Sequence, residues 1–245
     1  MTGQATGSAA RHKGWPKPAL LYNTMRKRFG FLDWWPGETK DEVLIGAILT
    51  QQTSWKNVEK AIANLKNAGA ISLRGIARMR KDRIEALIRP SGFYRQKAKR
   101  LKETCAYIYR NYGSLDKFFS RDKEALREEL LGLNGIGNET ADSIILYAAE
   151  KPAFVIDEYT RRVMGRVSGI YAGNKSYEEI QDFFEKGLER DVALYKEAHA
   201  QFVELGKNYC RAKPLCAGCP LEKICLYGSK IRIGTRPPRT RKHNA

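Results

Sequence analysis

Apolar residues recur along this chain at the three- and four-residue steps of an amphipathic helix, and no stretch alternates convincingly as a half-buried strand does. Leu44, Ile48 and Leu49 form one such stripe, and Val58, Ile62 and Leu65 form the next. Helix starts are marked as well. Thr39 with Glu42, and Ser176 with Glu179, have the spacing of a capping box, in which a hydroxyl and a carboxylate each satisfy a backbone amide of the first turn. Glycine-containing connections divide the remainder into helices of ordinary length. The expected fold class is all-α, and 245 residues suffice for one large core or two smaller ones. No internal repeat, secretory signal or apolar run of membrane-spanning length is found, so an intracellular protein of cytoplasm or nucleoid, without a membrane partner, is expected.

Between two helical stretches lies Leu133-Asn134-Gly135-Ile136-Gly137-Asn138-Glu139-Thr140-Ala141. Its two glycines allow backbone conformations and close approaches that a side chain would obstruct, just where a helix begins. Amides at such a helix start attract a phosphate oxygen, so Gly135, Gly137 and Thr140 are candidate contacts to a nucleic-acid backbone. A tight helix connection with no ligand has the same local signature. Asp157 follows the apolar run Ala153–Ile156 and precedes a further helical segment, which is the place of an N-cap. A capping carboxylate stays ionised and held in place, so a cap and a catalytic role are compatible.

Charge agrees with a polyanionic partner. The 44 Lys and Arg outnumber 27 Asp and Glu, giving +17 and a pI near 9.7. Such an excess favours nucleic acid through counterion release, largely without sequence preference. Residues 1–10 are small and polar, and 1–14 are expected to be a disordered tail. Residues 229–245 hold six Lys or Arg and no acid, the composition of a solvated basic tail.

Four of the five cysteines fall in one segment, Cys210-x5-Cys216-x2-Cys219-x5-Cys225. Disulfides are rare in intracellular proteins, so a metal site is favoured, either zinc or iron-sulfur. Structural zinc sites usually pair their ligands as two tight knuckles, whereas here one tight pair is flanked by two wide spacings; four thiolates also suit a four-iron four-sulfur cluster. Cys105 stands apart in a helical segment and is expected to be a buried thiol.

The chain resembles the helix-hairpin-helix DNA glycosylases of the endonuclease III superfamily. The resemblance rests on the Gly135-Ile136-Gly137 hairpin, on Ile156-Asp157 downstream of it, on Leu49-Thr50-Gln51-Gln52-Thr53, and on Gly92-Phe93-Tyr94 followed by Lys97-Ala98. The cysteine segment is similar to the superfamily's C-terminal cluster loop, with one residue fewer between the first two cysteines. The resemblance implies a 4Fe-4S cluster held by Cys210, Cys216, Cys219 and Cys225, stiffening a loop that carries Arg211 and Lys213 toward phosphate. It also implies two helical domains: a barrel over 37–150 with the hairpin, and a cluster domain built from 15–36 plus 151–228. The implied partner is double-stranded DNA with a damaged base, met by a monomer. Gln52 matches the wedge that fills the vacated stack, and Phe93 the residue that intrudes on the opposite strand. Asp157 matches the carboxylate that stabilises charge at the sugar, with Glu139 beside the same mouth ordering water or merely solvated.

Departures inside the superfamily narrow the activity. Bifunctional members carry a lysine where this chain has Glu139, and a carboxylate cannot form the sugar imine, so a monofunctional hydrolytic glycosylase leaving an abasic site is expected. Adenine-excising members carry a glutamate where this chain has Ala47. Trp34-Trp35-Pro36 matches one wall of the base pocket in the 3-methyladenine glycosylases of endonuclease III type, and Trp55 falls at the opposing aromatic. An aromatic pocket suits an alkylated purine because that base is cationic and gains cation-π attraction. Core packing is the competing role for these tryptophans. The alternative activities are excision of uracil or thymine from mismatches, an endonuclease III-like glycosylase/lyase, and DNA binding without catalysis.

Overall fold

The computed structural model describes residues 14–34, 37–169 and 175–232. Trp35, Pro36 and most of the two expected tails lie outside the described residues. Every regular element among the described residues is a helix, which bears out the all-α reading. No helix among them is long and apolar enough to cross a membrane.

The chain divides into two compact units. The first, here the hairpin unit, comprises Leu32–Val155 and Glu189–Ala200. It opens with α2 (Lys40–Leu49), which follows α1 (Pro18–Phe29) of the other unit. Val43, Leu44, Ile45, Ile48 and Leu49 are all buried, so α2 is enclosed by its neighbours on most sides. Next come α3 (Trp55–Asn67), α4 (Leu73–Arg78), α5 (Lys81–Ile88), a 3-10 turn over Arg89–Ser91, and α6 (Tyr94–Tyr112). Three more follow: α7 (Leu115–Phe119), α8 (Lys123–Leu131) and α9 (Asn138–Tyr147). Helix α6 is the longest and packs against α2, α4, α5 and α7. Its buried stripe, Lys97, Ala98, Leu101, Thr104, Cys105 and Ile108, has the helical spacing expected of one face, and Cys105 is fully enclosed as anticipated. Each fully buried Leu or Ile in these stripes contributes about 1.5–3 kcal/mol.

The second unit comprises Met1–Phe31, Ile156–Leu188 and Gln201–Ala245. Its helices are α1, α10 (Glu158–Ser168), α11 (Tyr177–Gly187), the latter half of α12 (Val192–Asn208), and α13 (Leu226–Arg232). Helices α1 and α11 meet where Gly187 admits the Pro18 ring; a Cβ there would lie 2.3 Å from Pro18 Cγ. Phe184 and Phe202 meet edge to face at 5.2 Å and continue the core onto α12.

Helix starts follow side-chain chemistry closely. Ser176 and Glu179 form a complete capping box, the Glu179 amide donating to Ser176 Oγ at 3.0 Å and the Ser176 amide to Glu179 Oε2 at 2.8 Å. At α2 only half of the expected box is present. Thr39 accepts from the Glu42 amide, but the Glu42 carboxylate takes the Glu38 amide at 3.4 Å and the Lys66 ammonium at 2.9 Å instead. An ion pair is a stronger partner for that carboxylate than a second backbone amide.

Lys97 is a charged residue inside the core, only 1% exposed. Its ammonium donates to the Leu49 carbonyl at 2.9 Å and to the Ser91 carbonyl at 2.6 Å. Burial, with the Arg100 guanidinium adding repulsion, lowers its pKa from 10.5 to about 8. A neutral amine still has two N–H groups, enough for the two carbonyls. Between pH 8 and 10.5 the folded chain has released this proton and the unfolded chain still holds it, so stability from this group rises with pH across that window. Urea unfolding of wild type and Lys97→Met across those pH values is expected to show the stability difference growing in favour of wild type. A difference independent of pH would contradict this.

Candidate DNA-binding and catalytic site

The hairpin forms as its glycines require. Gly135 has φ +78°, a conformation L side chains rarely adopt, and a Cβ there would meet Arg100 Nε at 2.2 Å. Ile136 donates its amide back to the Leu133 carbonyl, closing the turn, and Gly137 is the exposed N-cap of α9. No side chain caps this helix start, so its dipole faces outward at an accessible glycine, the arrangement that suits a phosphate oxygen. Behind the hairpin, Arg127 binds the fully buried Asp142 carboxylate through Nε and Nη2 at 2.8 and 3.1 Å, and Nη2 also reaches Asn138 Oδ1. That fork ties α8 to α9 and holds the hairpin's two flanks. Glu139 lies exposed in the first turn of α9, whereas Thr140 is buried.

Two protruding side chains accompany the hairpin in the same unit. Gln52 stands in the turn between α2 and α3 with φ +53°, and Phe93 precedes α6 with φ +45° and 60% of its surface exposed. Non-glycine residues in the left-handed region are uncommon, and such strain concentrates where a side chain must be presented. Gln51, beside Gln52, points the other way. Its Nε2 donates to the Gly135 carbonyl at 2.9 Å and to Thr140 Oγ1 at 3.0 Å, while its Oε1 accepts from Arg100 Nη1 at 2.8 Å.

Trp34 and Trp55 meet within the hairpin unit. Their rings lie edge to face, 6.2 Å apart and inclined by 66°. Trp34 also stands edge-on to Tyr147 at 5.8 Å and near His199 at 6.0 Å, and Tyr147 Oη lies 2.7 Å from His199 Nδ1. Both residues are almost completely buried. The aromatic group is therefore larger than the tryptophans singled out from the sequence, and its added members come from the ends of α9 and the first half of α12.

In the second unit Asp157 is the N-cap of α10, its carboxylate accepting from the Thr160 amide at 2.7 Å. The Ile156 amide donates to Tyr177 Oη, which pins the residue before it. The cap holds the carboxylate half-buried at the N-terminus of α10. The same helix braces the cysteine segment. Arg162 Nε donates to the Cys210 carbonyl at 2.7 Å. Arg166, buried and lying over the Tyr227 ring, donates to Cys210 Sγ at 3.2 Å and to the Arg211 and Ala212 carbonyls. Arg211 and Lys213 are exposed on that loop.

None of the four loop cysteines is in a disulfide. Burial raises the Cys219 thiol to about 11, and the charges of Cys210, Cys225 and Cys216 add to that rise. Burial is also the main cause that raises Cys216 and Cys225, with Cys210 adding to the rise at both. Arg166 places a positive charge beside the Cys216 thiol and counters part of that rise. Among the described residues no group of three or more His, Cys, Asp or Glu is placed so that it could hold a metal ion. By its chemistry, a set of four cysteine thiols suits a four-iron four-sulfur cluster.

Residues missed in the sequence are mainly brackets rather than probes. Gln51 and Lys97 sat inside quoted motifs but their long-range partners left no local trace, and Arg100, Arg127, Tyr147, Arg166 and His199 carried no signal at all.

Residues 45–190 match the HhH-GPD superfamily of base excision DNA repair proteins. A Methanocaldococcus jannaschii protein, named provisionally as a DNA repair glycosylase, is 47% identical over 208 residues, covering 84% of this chain and 94% of that one. Endonuclease III of Thermotoga maritima is 32% identical over 186 residues, covering 76% of this chain and 82% of its own length. Among solved structures, the H. pylori 3-methyladenine DNA glycosylase bound to 1,N6-ethenoadenine is similar with a TM-score of 0.70 and 33% identity, covering 78% of this chain and 98% of that one. With the hairpin, the downstream aspartate and the all-helical fold in place, the chain belongs to the HhH-GPD superfamily of base excision DNA repair proteins.

Proposed function

We propose that this protein is a monofunctional DNA glycosylase that excises alkylated purines of the 3-methyladenine kind from double-stranded DNA. The observation that carries the reading is the aromatic group of Trp34, Trp55, Tyr147 and His199, in the unit that also bears the hairpin. A cationic purine gains more from such surroundings than a neutral base does. The sequence resemblance assigns Trp35 and Pro36, which lie outside the described residues, to the same pocket. The likeness to the H. pylori enzyme supports the same substrate class.

In this reading Gly135, Gly137 and Thr140, with Arg211 and Lys213, hold the backbone, while Gln52 and Phe93 enter the duplex as the target nucleotide is extruded. The bond from C1′ to the base nitrogen breaks with its electron pair leaving on the base. That pair neutralises the base's positive charge, so no side chain has to protonate it, in keeping with Ala47. Asp157 stabilises the cationic sugar and accepts a proton from the water that adds to C1′. Glu139, where bifunctional members carry a lysine, has no amine and forms no imine, so the product is a free base and an intact strand with an abasic site. Cys210, Cys216, Cys219 and Cys225 hold a 4Fe-4S cluster with a structural role.

Base release from duplexes carrying a methylated purine, G:U, G:T or A:G tests this directly. Abasic sites are expected from the methylated purine alone, with strand breaks only after alkali, and Asp157→Asn is expected to lower release by about a hundredfold or more. Release from G:U or G:T alone would transfer the assignment to mismatch repair; breaks before alkali would make the enzyme a lyase. Elemental analysis of anaerobically purified protein is expected to give about four irons per chain. Cys216→Ser should lose them together with the brown colour. Zinc in their place would overturn the cluster.

A further inference from the structure

The hairpin, Gln52 and Phe93 lie in three separate connections, yet all three are fastened to one face of α6. Lys97 Nζ holds the Leu49 carbonyl, three residues before Gln52, and the Ser91 carbonyl, two residues before Phe93. Arg100, one helical step along, lies against Gly135 and donates to Gln51 Oε1, while Gln51 Nε2 holds the Gly135 carbonyl and Thr140 Oγ1. Gln51 and Gln52 are consecutive, so the side chain that grips the hairpin and the one that protrudes share a peptide bond. The tips that these bonds support are both in left-handed backbone, a conformation kept only where the surroundings over-determine it.

We propose that Gln51, Lys97 and Arg100 are positioning residues that set Gln52 and Phe93 against the hairpin, so that the backbone grip fixes how deeply both side chains enter the duplex. This rests on the reading that Gln52 and Phe93 penetrate DNA. Phosphate held at Gly137 locates α9, Thr140 and the Gly135 carbonyl locate Gln51, and Gln51 locates its neighbour. Lys97 brings the Phe93 turn into the same frame. A core lysine that only satisfied its own charge would have no need to choose carbonyls from these two turns, and a glutamine serving only its own turn would not reach a hairpin 84 residues away.

The probe is a duplex with 2-aminopurine opposite a tetrahydrofuran abasic analogue, whose fluorescence rises as the unpaired base is unstacked. Gln51→Glu keeps the volume and the bond from Arg100 but loses the donor to Gly135 and Thr140; Lys97→Met keeps the stem without the amine. Both full-length variants are expected to melt cooperatively and to bind undamaged duplex within about twofold of wild type, yet to unstack the probe about tenfold more slowly, the same outcome being expected of Gln52→Ala. Wild-type unstacking rates in the folded variants would overturn the proposal. So would a loss of undamaged-duplex binding in parallel with unstacking, which would make these residues scaffold alone. A wild-type protein that leaves the probe stacked would remove the penetrating role itself, and with it this inference, while base release reports separately on the glycosylase reading.

Discussion

Removing an ammonium from water costs several kcal/mol unless hydrogen bonds replace its hydration, and Lys97 meets that demand with two main-chain carbonyls. The carbonyls come from the C-terminal end of α2 and from the 3-10 turn, both places where helix geometry leaves acceptors unused. One buried cation thus offsets part of its own desolvation and satisfies the unused carbonyls at the buried ends of two helical segments. The arrangement also makes those ends interdependent, because moving either one strips the lysine of an acceptor. The left-handed residues just beyond them inherit that rigidity.

Basic side chains do more inside this protein than its net charge suggests. Arg127 is spent on a buried carboxylate and Arg166 on the carbonyls and sulfur of the cysteine segment. Arg100 is engaged with Gln51, and Lys196 with Glu150. The planar, permanently charged guanidinium suits such brackets because it can bind two or three acceptors in a fixed fork. The ion pairs with Asp142 and Glu150 already cancel within the excess of +17, but Arg100 and Arg166 face neutral acceptors inside the protein, so their part of that excess is not turned toward a nucleic acid.

Much of the fold was legible because its determinants are local. Periodic apolar stripes marked α2, α3 and the all-α class, Ser176 and Asp157 are caps as their neighbours implied, and Gly135 falls where the hairpin needs a left-handed turn. Thr39 was half legible, since the capping hydroxyl acts locally but the carboxylate answers to Lys66, far along the chain. The candidate site was legible at its tips and hidden at its supports. A protruding Gln52 or Phe93 sits in a recognisable motif, whereas Tyr147 and His199 join Trp34 through packing between helices that share no sequence pattern. Hydrogen bonds from side chains to distant carbonyls leave no period and no spacing to read.

Arg166 carries a consequence for how such a protein can change. Its guanidinium is buried among acceptors that the cysteine segment alone provides: one sulfur and the carbonyls of residues 211 and 212. Deleting that segment would strand a cation in the interior of α10, the helix whose first turn Asp157 caps. A lineage that discarded the cysteines would then have to replace Arg166 in the same evolutionary step or pass through a poorly folded intermediate. Retention of the loop is in this sense enforced from the helix it leans on, independently of whatever the sulfurs bind.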